Sequence, residues 1–252
     1  MTTILALANQ KGGVGKTTTA INLAAALAAL EREVLLVDCD PQGNATRGLG
    51  GDATVPNLYQ VLTGAADAAD AIRPSGFPHL DLLAADRNLV GVEVEFVGLD
   101  GWERRLADRL AGVASRYDYV LLDSPPSLGH LTVLALSAAD AVIVPMQCEY
   151  FALEGLSELV GTVRTVAASL NPRLELGGLV LTMYDDRMKL TRDVEQEIRT
   201  HFGDKVFRTA IPRNVRLAEA PSHGMPILQY DIKSRGAEAF LALARELQGR
   251  SR

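Results

Sequence analysis

Lys11, Lys16, Thr17 and Thr18 stand among three glycines, Gly12, Gly13 and Gly15, in the run GlnLysGlyGlyValGlyLysThrThr at 10–18. Glycines at that spacing let a backbone curl until its N–H groups converge. Converging N–H groups beside a lysine and a hydroxyl are what a nucleotide phosphate requires. In this arrangement Lys16 neutralises the β- and γ-phosphates, Thr17 offers an oxygen to Mg²⁺, and Val14 and Thr18 complete the loop. Two aspartates close apolar runs elsewhere: Asp38, a candidate for the metal site with Thr17, in ValAspCysAspProGlnGlyAsn at 37–44, and Asp123 in LeuLeuAspSerProPro at 121–126. Asp40 lies two residues beyond the first of them. Phosphoryl transfer to water needs charge neutralisation and an aligned water and little else, so this short set suffices in kind for hydrolysis of a nucleoside triphosphate.

Such residues act together only if the elements between them bring them to one place. ThrIleLeuAlaLeuAla at 3–8 is a continuous apolar run ending where the glycines begin, which predicts a strand buried on both faces. Thr17 to Leu30, rich in Ala and Leu, predicts the helix that follows. Val34 to Val37 and TyrValLeuLeu at 119–122 predict strands that finish on Asp38 and Asp123. Leu80 to Ala84, Ala141 to Pro145 and Leu179 to Met183 extend the set, with helices expected near 102–115, 152–170, 190–201 and 234–248. Residues 42–79, rich in Gly, Ala and Asp, predict short helices and loops. The alternation implies the α/β class: a single P-loop NTPase domain over 1–252, with a mainly parallel, doubly wound sheet flanked by helices. Ligands in such sheets bind outside the carboxyl ends of the strands, where the Gly-rich turn and both terminal carboxylates would meet. Asp40-Pro41 and Pro125-Pro126 break regular structure where loops sensing a γ-phosphate would have to move.

A chain of 252 residues is ordinary for one such core. With 48% hydrophobic but only 5% aromatic residues, that core must be built from Ala, Leu and Val. Cys39 and Cys148 make neither a disulfide framework nor a metal site, and no charged-then-apolar leader precedes the first strand. No apolar run reaches the ~18 residues of a membrane span, and the end of the chain at 246–252 is short and polar. The expectation is a cytoplasmic protein without a membrane partner. The net charge of −6 is uneven: residues 1–178 carry 12 Lys/Arg against 21 Asp/Glu, whereas 179–252 carry 13 against 10. Only the last third can face a polyanion.

The strict phosphate-loop pattern has glycine where this chain has Gln10, and Lys11 is an extra feature. LysGlyGlyValGlyLysThr at 11–17 resembles the deviant Walker A motif of the family that includes ParA/Soj, MinD, nitrogenase iron protein and arsenical-pump ATPases. CysAspProGlnGlyAsn, AspSerProProSerLeuGly, GluTyrPheAlaLeuGluGly, IleProArgAsnValArgLeuAlaGluAlaProSerHisGly and LysSerArgGlyAlaGlu are similar to the ParA/Soj branch, over about residues 3–248. Ser124 stands where that branch frequently has cysteine. The resemblance implies an ATP-dependent sandwich dimer in which Lys11 reaches the partner's phosphates. It implies Asp40 as the residue that orients the attacking water, Asp123 as the Walker B carboxylate holding Mg²⁺ through water, and Pro212 and Asn214 as contacts to adenine. It also implies non-specific DNA binding, for which Arg187, Lys189, Arg213 and Arg216 are candidates, Arg187 and Arg216 foremost. A ParB-like activator and a nucleoid-associated location follow from the same likeness, as does chromosome or plasmid partition. The alternatives are positioning of a protein cargo on the nucleoid and, more remotely, MinD-like regulation of a division site. No basic amphipathic tail of the kind a membrane-bound regulator carries follows Leu247. The Gly-rich loop begins by residue 11, so no N-terminal helix-turn-helix domain is expected.

Overall fold

The computed structural model describes residues 2–150 and 152–250. The order of elements is β1 (Thr3–Leu7), α1 (Lys16–Ala29), β2 (Val34–Asp38), α2 (Asn44–Gly48), α3 (Leu58–Thr63), α4 (Ala68–Ala71), β3 (Ile72–Pro74), β4 (Leu80–Leu83) and α5 (Val92–Glu95). There follow α6 (Arg105–Ala114), β5 (Tyr119–Asp123), α7 (His130–Ala138), β6 (Ala141–Gln147), α8 (Ala152–Ser169), β7 (Glu175–Thr182), α9 (Lys189–Phe202), α10 (Val215–Glu219), α11 (Ile227–Tyr230) and α12 (Arg235–Arg250). One seven-stranded sheet in the order β3-β4-β2-β5-β1-β6-β7 carries them, parallel throughout except where β3 runs antiparallel on β4.

Every residue of β2 and β5 is buried, as the uninterrupted apolar runs required of strands covered on both faces. One face packs Leu35, Val37, Val120 and Leu122 against α6, α7 and α8. The other packs Leu36, Leu121 and Ile143 against α1 and α12. Helix α1 is buried nearly all round, and its alanines let it sit close to both the sheet and α12. Shortening a fully buried leucine such as Leu36 or Leu121 to alanine would cost about 2–5 kcal/mol.

The short helices α5, α10 and α11 add to the expectation drawn from sequence, and three larger features depart from it. Helix α7 was not foreseen: HisLeuThrValLeuAlaLeuSerAla is buried on most sides and shows no polar stripe from which a helical period could be read. The edge strand β3 was likewise hidden in 42–79, because three residues ending in proline make only a weak strand signal. Strand β7 begins at Glu175 rather than Leu179, since Gly177-Gly178 reads as a turn. A side chain at Gly178 would come within 2.5 Å of the Phe207 ring, so this glycine serves close packing, beside a register shift between Val142 and Ile143 of β6.

Candidate functional site

The strand register assembles the site. Asp38 and Asp123 are direct partners at the carboxyl ends of β2 and β5, and Leu7, the last residue of β1, pairs with Asp123 from the other side. The Gly-rich loop leaves β1 there. Gly13 and Gly15 adopt φ of 74° and 86°, which L side chains rarely tolerate, and Gly15 turns the chain directly into α1. No side chain caps α1, so its first N–H groups are left for an anion. The loop is braced from outside: the Thr182 hydroxyl donates to the Val14 carbonyl at 2.7 Å, and Gln147 Nε2 donates to the Gly13 carbonyl at 2.9 Å. Asn9 Nδ2 donates to the Pro145 carbonyl at 2.8 Å and its Oδ1 accepts the Lys11 N–H at 2.9 Å.

The two lysines of the loop face different ways. Lys16 is only 7% exposed and its ammonium donates to the Lys11 carbonyl at 3.2 Å, folded back into the loop it would serve. Burial lowers its pKa, while Asp123 and Asp40 hold it up. Lys11 has a side chain 50% exposed and pairs with Glu149, in the turn between β6 and α8.

The carboxylates differ as well. Asp123 is fully buried and neither of its oxygens has a hydrogen-bond partner among the described residues. Burial and the neighbouring Asp38 push its pKa well up; the Thr17 hydroxyl beside it, outside good hydrogen-bonding geometry, and the Lys16 ammonium oppose the rise. Asp38, by contrast, is fully engaged at Oδ2, which accepts the Thr46 N–H and hydroxyl, both at 2.8 Å. Among the described residues its Oδ1 accepts only the Asp40 N–H, at 3.2 Å, and burial raises its pKa to about 6. Asp40 is buried, with Oδ1 accepting the Gln42 N–H at 2.8 Å. Burial, with Asp38, Asp123 and Asp40 close by, also drives the Cys39 thiol well above its usual value, a sign that three carboxylates crowd one region. Two buried carboxylate oxygens without donors, facing a loop lysine and a threonine hydroxyl, fit a divalent cation. Among the described residues no three His, Cys, Asp or Glu side chains form a metal cage, so that cation would be shared with phosphate oxygens in the way Mg²⁺ favours.

Beside the loop opens a cleft of about 300 Å³ lined by Gly15, Thr18, Thr182, Pro212, Asn214 and Leu217, among others. Pro212 and Asn214, two of the sequence candidates, therefore stand in its wall. Their segment is pinned to the end of β7: the Tyr184 N–H donates to the Ile211 carbonyl at 2.9 Å and the Arg213 N–H to the Tyr184 carbonyl at 3.3 Å. Asn214 caps α10, its Oδ1 accepting the Arg216 N–H at 2.8 Å, which leaves its amide Nδ2 for a ligand.

The rim comprises the four cationic candidates, Arg187, Lys189, Arg213 and Arg216, all exposed; Arg213 also lines the cleft, and Arg187 lines a neighbouring hollow with it. Arg187 is clasped by both oxygens of Asp185, at 2.8 and 2.6 Å, and holds that carboxyl down to a pKa of about 2. Arg216 is bonded to Glu219 at 2.8 Å with Asp231 at 3.6 Å. Lys189 and Arg213 make no ion pair among the described residues. Sequence reasoning missed Glu149, Gln147, Thr182 and Arg235, the last lining a hollow with Arg187 and Arg213. The first three sit at or just past the ends of β6 and β7, so the strand-end rule that found the aspartates applied to them too. Within the GluTyrPheAlaLeuGluGly stretch, Phe151 lies outside the described residues, as do Ser251 and Arg252 of the tail. Among the described residues no helix is long and apolar enough to cross a membrane.

A family model described as an AAA domain matches residues 2–176. The chromosome partitioning protein ParA of Caulobacter vibrioides is 54% identical over 253 residues, 99% of this chain and 95% of that protein. The sporulation initiation inhibitor protein Soj of Bacillus subtilis is 52% identical over 246 residues, 97% of each. Among solved structures, cobyrinic acid a,c-diamide synthase from Mycobacterium smegmatis, with bound ADP and magnesium, superposes with a TM-score of 0.85 at 38% identity, over 97% of this chain and 93% of that one.

Proposed function

The chain belongs to the ParA/Soj family of chromosome-partitioning ATPases, and from that premise we propose that it hydrolyses ATP in a nucleotide-bridged dimer that holds DNA without regard to sequence. ATP and ADP occupy the Gly-rich loop and the adjoining cleft, with the base against Pro212 and Asn214. Gly12 to Thr18 and Lys16 cradle the phosphates. Thr17, Asp38 and Asp123 would hold Mg²⁺, and the bound ion would supply charge neutralisation at the nucleotide phosphates. Asp40 orients the attacking water, its side chain close enough to Lys16 and Asp123 to share the field of the reacting phosphate. Arg187, Lys189, Arg213 and Arg216 meet DNA phosphates, and a ParB-like protein accelerates hydrolysis and release.

The observation that carries this reading is the opposed placement of the two loop lysines. Lys16 is buried and turned into its own loop, whereas Lys11 is half exposed and held at the rim by Glu149. A second cation beside a complete phosphate loop has an evident use at the phosphates of another copy. The greater identity to partition proteins, 54% and 52% against 38% for the diamide synthase, favours partition over amidation of a small molecule.

The test is binding to a random-sequence DNA duplex with ADP, with ATP, and with ATP for Asp40→Ala, at two salt concentrations, alongside sedimentation. Salt-sensitive binding by a dimer, requiring ATP and kept or strengthened in the variant, is expected. Absence of binding with any nucleotide would sink the DNA reading and leave an ATPase acting on a protein cargo.

A further inference from the structure

The loop that carries Asp40 is fastened at its far end by Thr46, eight residues beyond Asp38 in the first turn of α2. Thr46 is 1% exposed. Its hydroxyl donates to Asp38 Oδ2 at 2.8 Å, and Thr46 Oγ1 itself accepts the N–H of Ala85, just past the end of β4, at 3.0 Å. Asp38 Oδ1 in turn accepts the Asp40 N–H at 3.2 Å. A continuous hydrogen-bonded path therefore runs from the end of β4, through Thr46 and Asp38, to the backbone of Asp40.

Each link has one sense only. A threonine hydroxyl has a single proton, here directed to the carboxylate, and its lone pairs are left for the Ala85 N–H. Ala85, Thr46, Asp38 and Asp40 are all buried, so water has little access to replace a lost link. Thr46 is absent from the lining of the cleft beside the loop, and its N–H and hydroxyl are both engaged by Asp38 and Ala85. Among the described residues Asp40 is otherwise held by the turn bonds from the Gln42 and Gly43 N–H groups, at 2.8 and 2.9 Å, and through its neighbour Cys39, whose N–H donates to the Asp123 carbonyl at 2.9 Å.

We propose that Thr46 is a positioning residue for the hydrolytic step: its hydroxyl locks the Asp38 carboxylate against the end of β4 and thereby sets where Asp40 stands relative to the phosphate loop. This inference rests on the reading of Asp40 as the residue that orients water. An error of about 1 Å in such a group can cost on the order of a hundredfold in rate.

The experiment measures turnover, KM for ATP and nucleotide affinity for the unsubstituted chain, Thr46→Val and Thr46→Ser. Thr46→Val keeps the shape and the backbone bond to Asp38 but removes both hydroxyl links. It is expected to lower kcat by about ten- to a hundredfold with KM and affinity within about twofold, and Thr46→Ser to restore kcat. Unchanged kcat in Thr46→Val overturns the assignment. So does a parallel loss of affinity and kcat, the mark of a general brace, and so does failure of Thr46→Ser to recover. If Thr46→Val does not fold, Thr46→Cys, whose thiol is a weak donor and acceptor, is read by the same ratios. No turnover by the unsubstituted chain would overturn the ATPase reading itself, a result distinct from normal turnover that Thr46→Val leaves untouched.

Discussion

Lys16 and Arg187 are both cations beside carboxylates, yet Lys16 is 7% exposed while the Arg187 side chain is 86% exposed. On the phosphate side of the cleft, strand register, a left-handed glycine and buried side chains leave each group one place to be. On the rim, Arg187 and Arg216 hold their carboxylate partners in water, where such a pair is worth about 0–1 kcal/mol and yields readily to a competing phosphate. The phosphate side is built to act on one molecule at fixed distances. On the proposed reading, the rim would exchange one set of anions for another.

That contrast can be broken where it is strongest. Asp40→Ala should lower steady-state ATP turnover by about 10²–10⁴-fold while nucleotide binding, followed by a fluorescent analogue, is kept; a loss below tenfold would mean that the phosphate side does not depend on this placement. Asp123→Asn should weaken Mg²⁺-dependent nucleotide binding on the order of ten- to a hundredfold with little change in Mg²⁺-free binding, measured by titration calorimetry.

The same aspartate yields a pH test. Asp38 and Asp123 both hold their protons to higher pH in the folded chain than in the unfolded one. The folded state therefore binds more protons, and nucleotide-free stability should fall as pH rises through about 6, the Asp38 value. Urea unfolding between pH 5 and 8 should show this decline, and Asp123→Asn, which removes one of the charges, should flatten it.

On the rim the effects should be small and salt-dependent. Arg187→Ala and Arg216→Ala should each reduce the slope of log affinity for DNA against log salt by about 1. Asp185→Asn, which frees Arg187, should strengthen DNA binding by at most a few-fold, in keeping with the modest worth of an exposed pair. Least of all, Glu149→Gln should move the thermal midpoint by a shift equivalent to less than about 1 kcal/mol. If Lys11 acts on a second copy, releasing it should also raise the dimer fraction seen by sedimentation with ATP.

The division between the two sides also governs what could be read beforehand. Gly12 to Thr18, Asp38 and Asp123 were legible because apolar runs, a glycine turn and strand ends impose their positions, and the register of β1, β2 and β5 brings them together. Pro212 and Asn214 were legible only by resemblance, since nothing in their local spacing says that the segment folds back along β7. Thr46 was not legible, because its bonds to Asp38 and Ala85 depend on how a loop of Gly, Ala and Asp packs. The ion pairs of Arg187 and Arg216 follow from near neighbours, at two and three residues, but a solvated charge and a paired one look alike in sequence. Helix α7 was hidden for the opposite reason: a helix buried on most sides carries no stripe.

The ribbon at 211–214 belongs to both sides of the cleft. Its pairing with the end of β7 puts Pro212, Arg213 and Asn214 in the cleft lining, with Arg213 exposed and Arg216 exposed just beyond. A base lodged against Pro212 and Asn214 would thus press on the scaffold that holds two of the rim's cations. On the proposed reading, occupancy inside and charge display outside would be joined by only a few residues of chain.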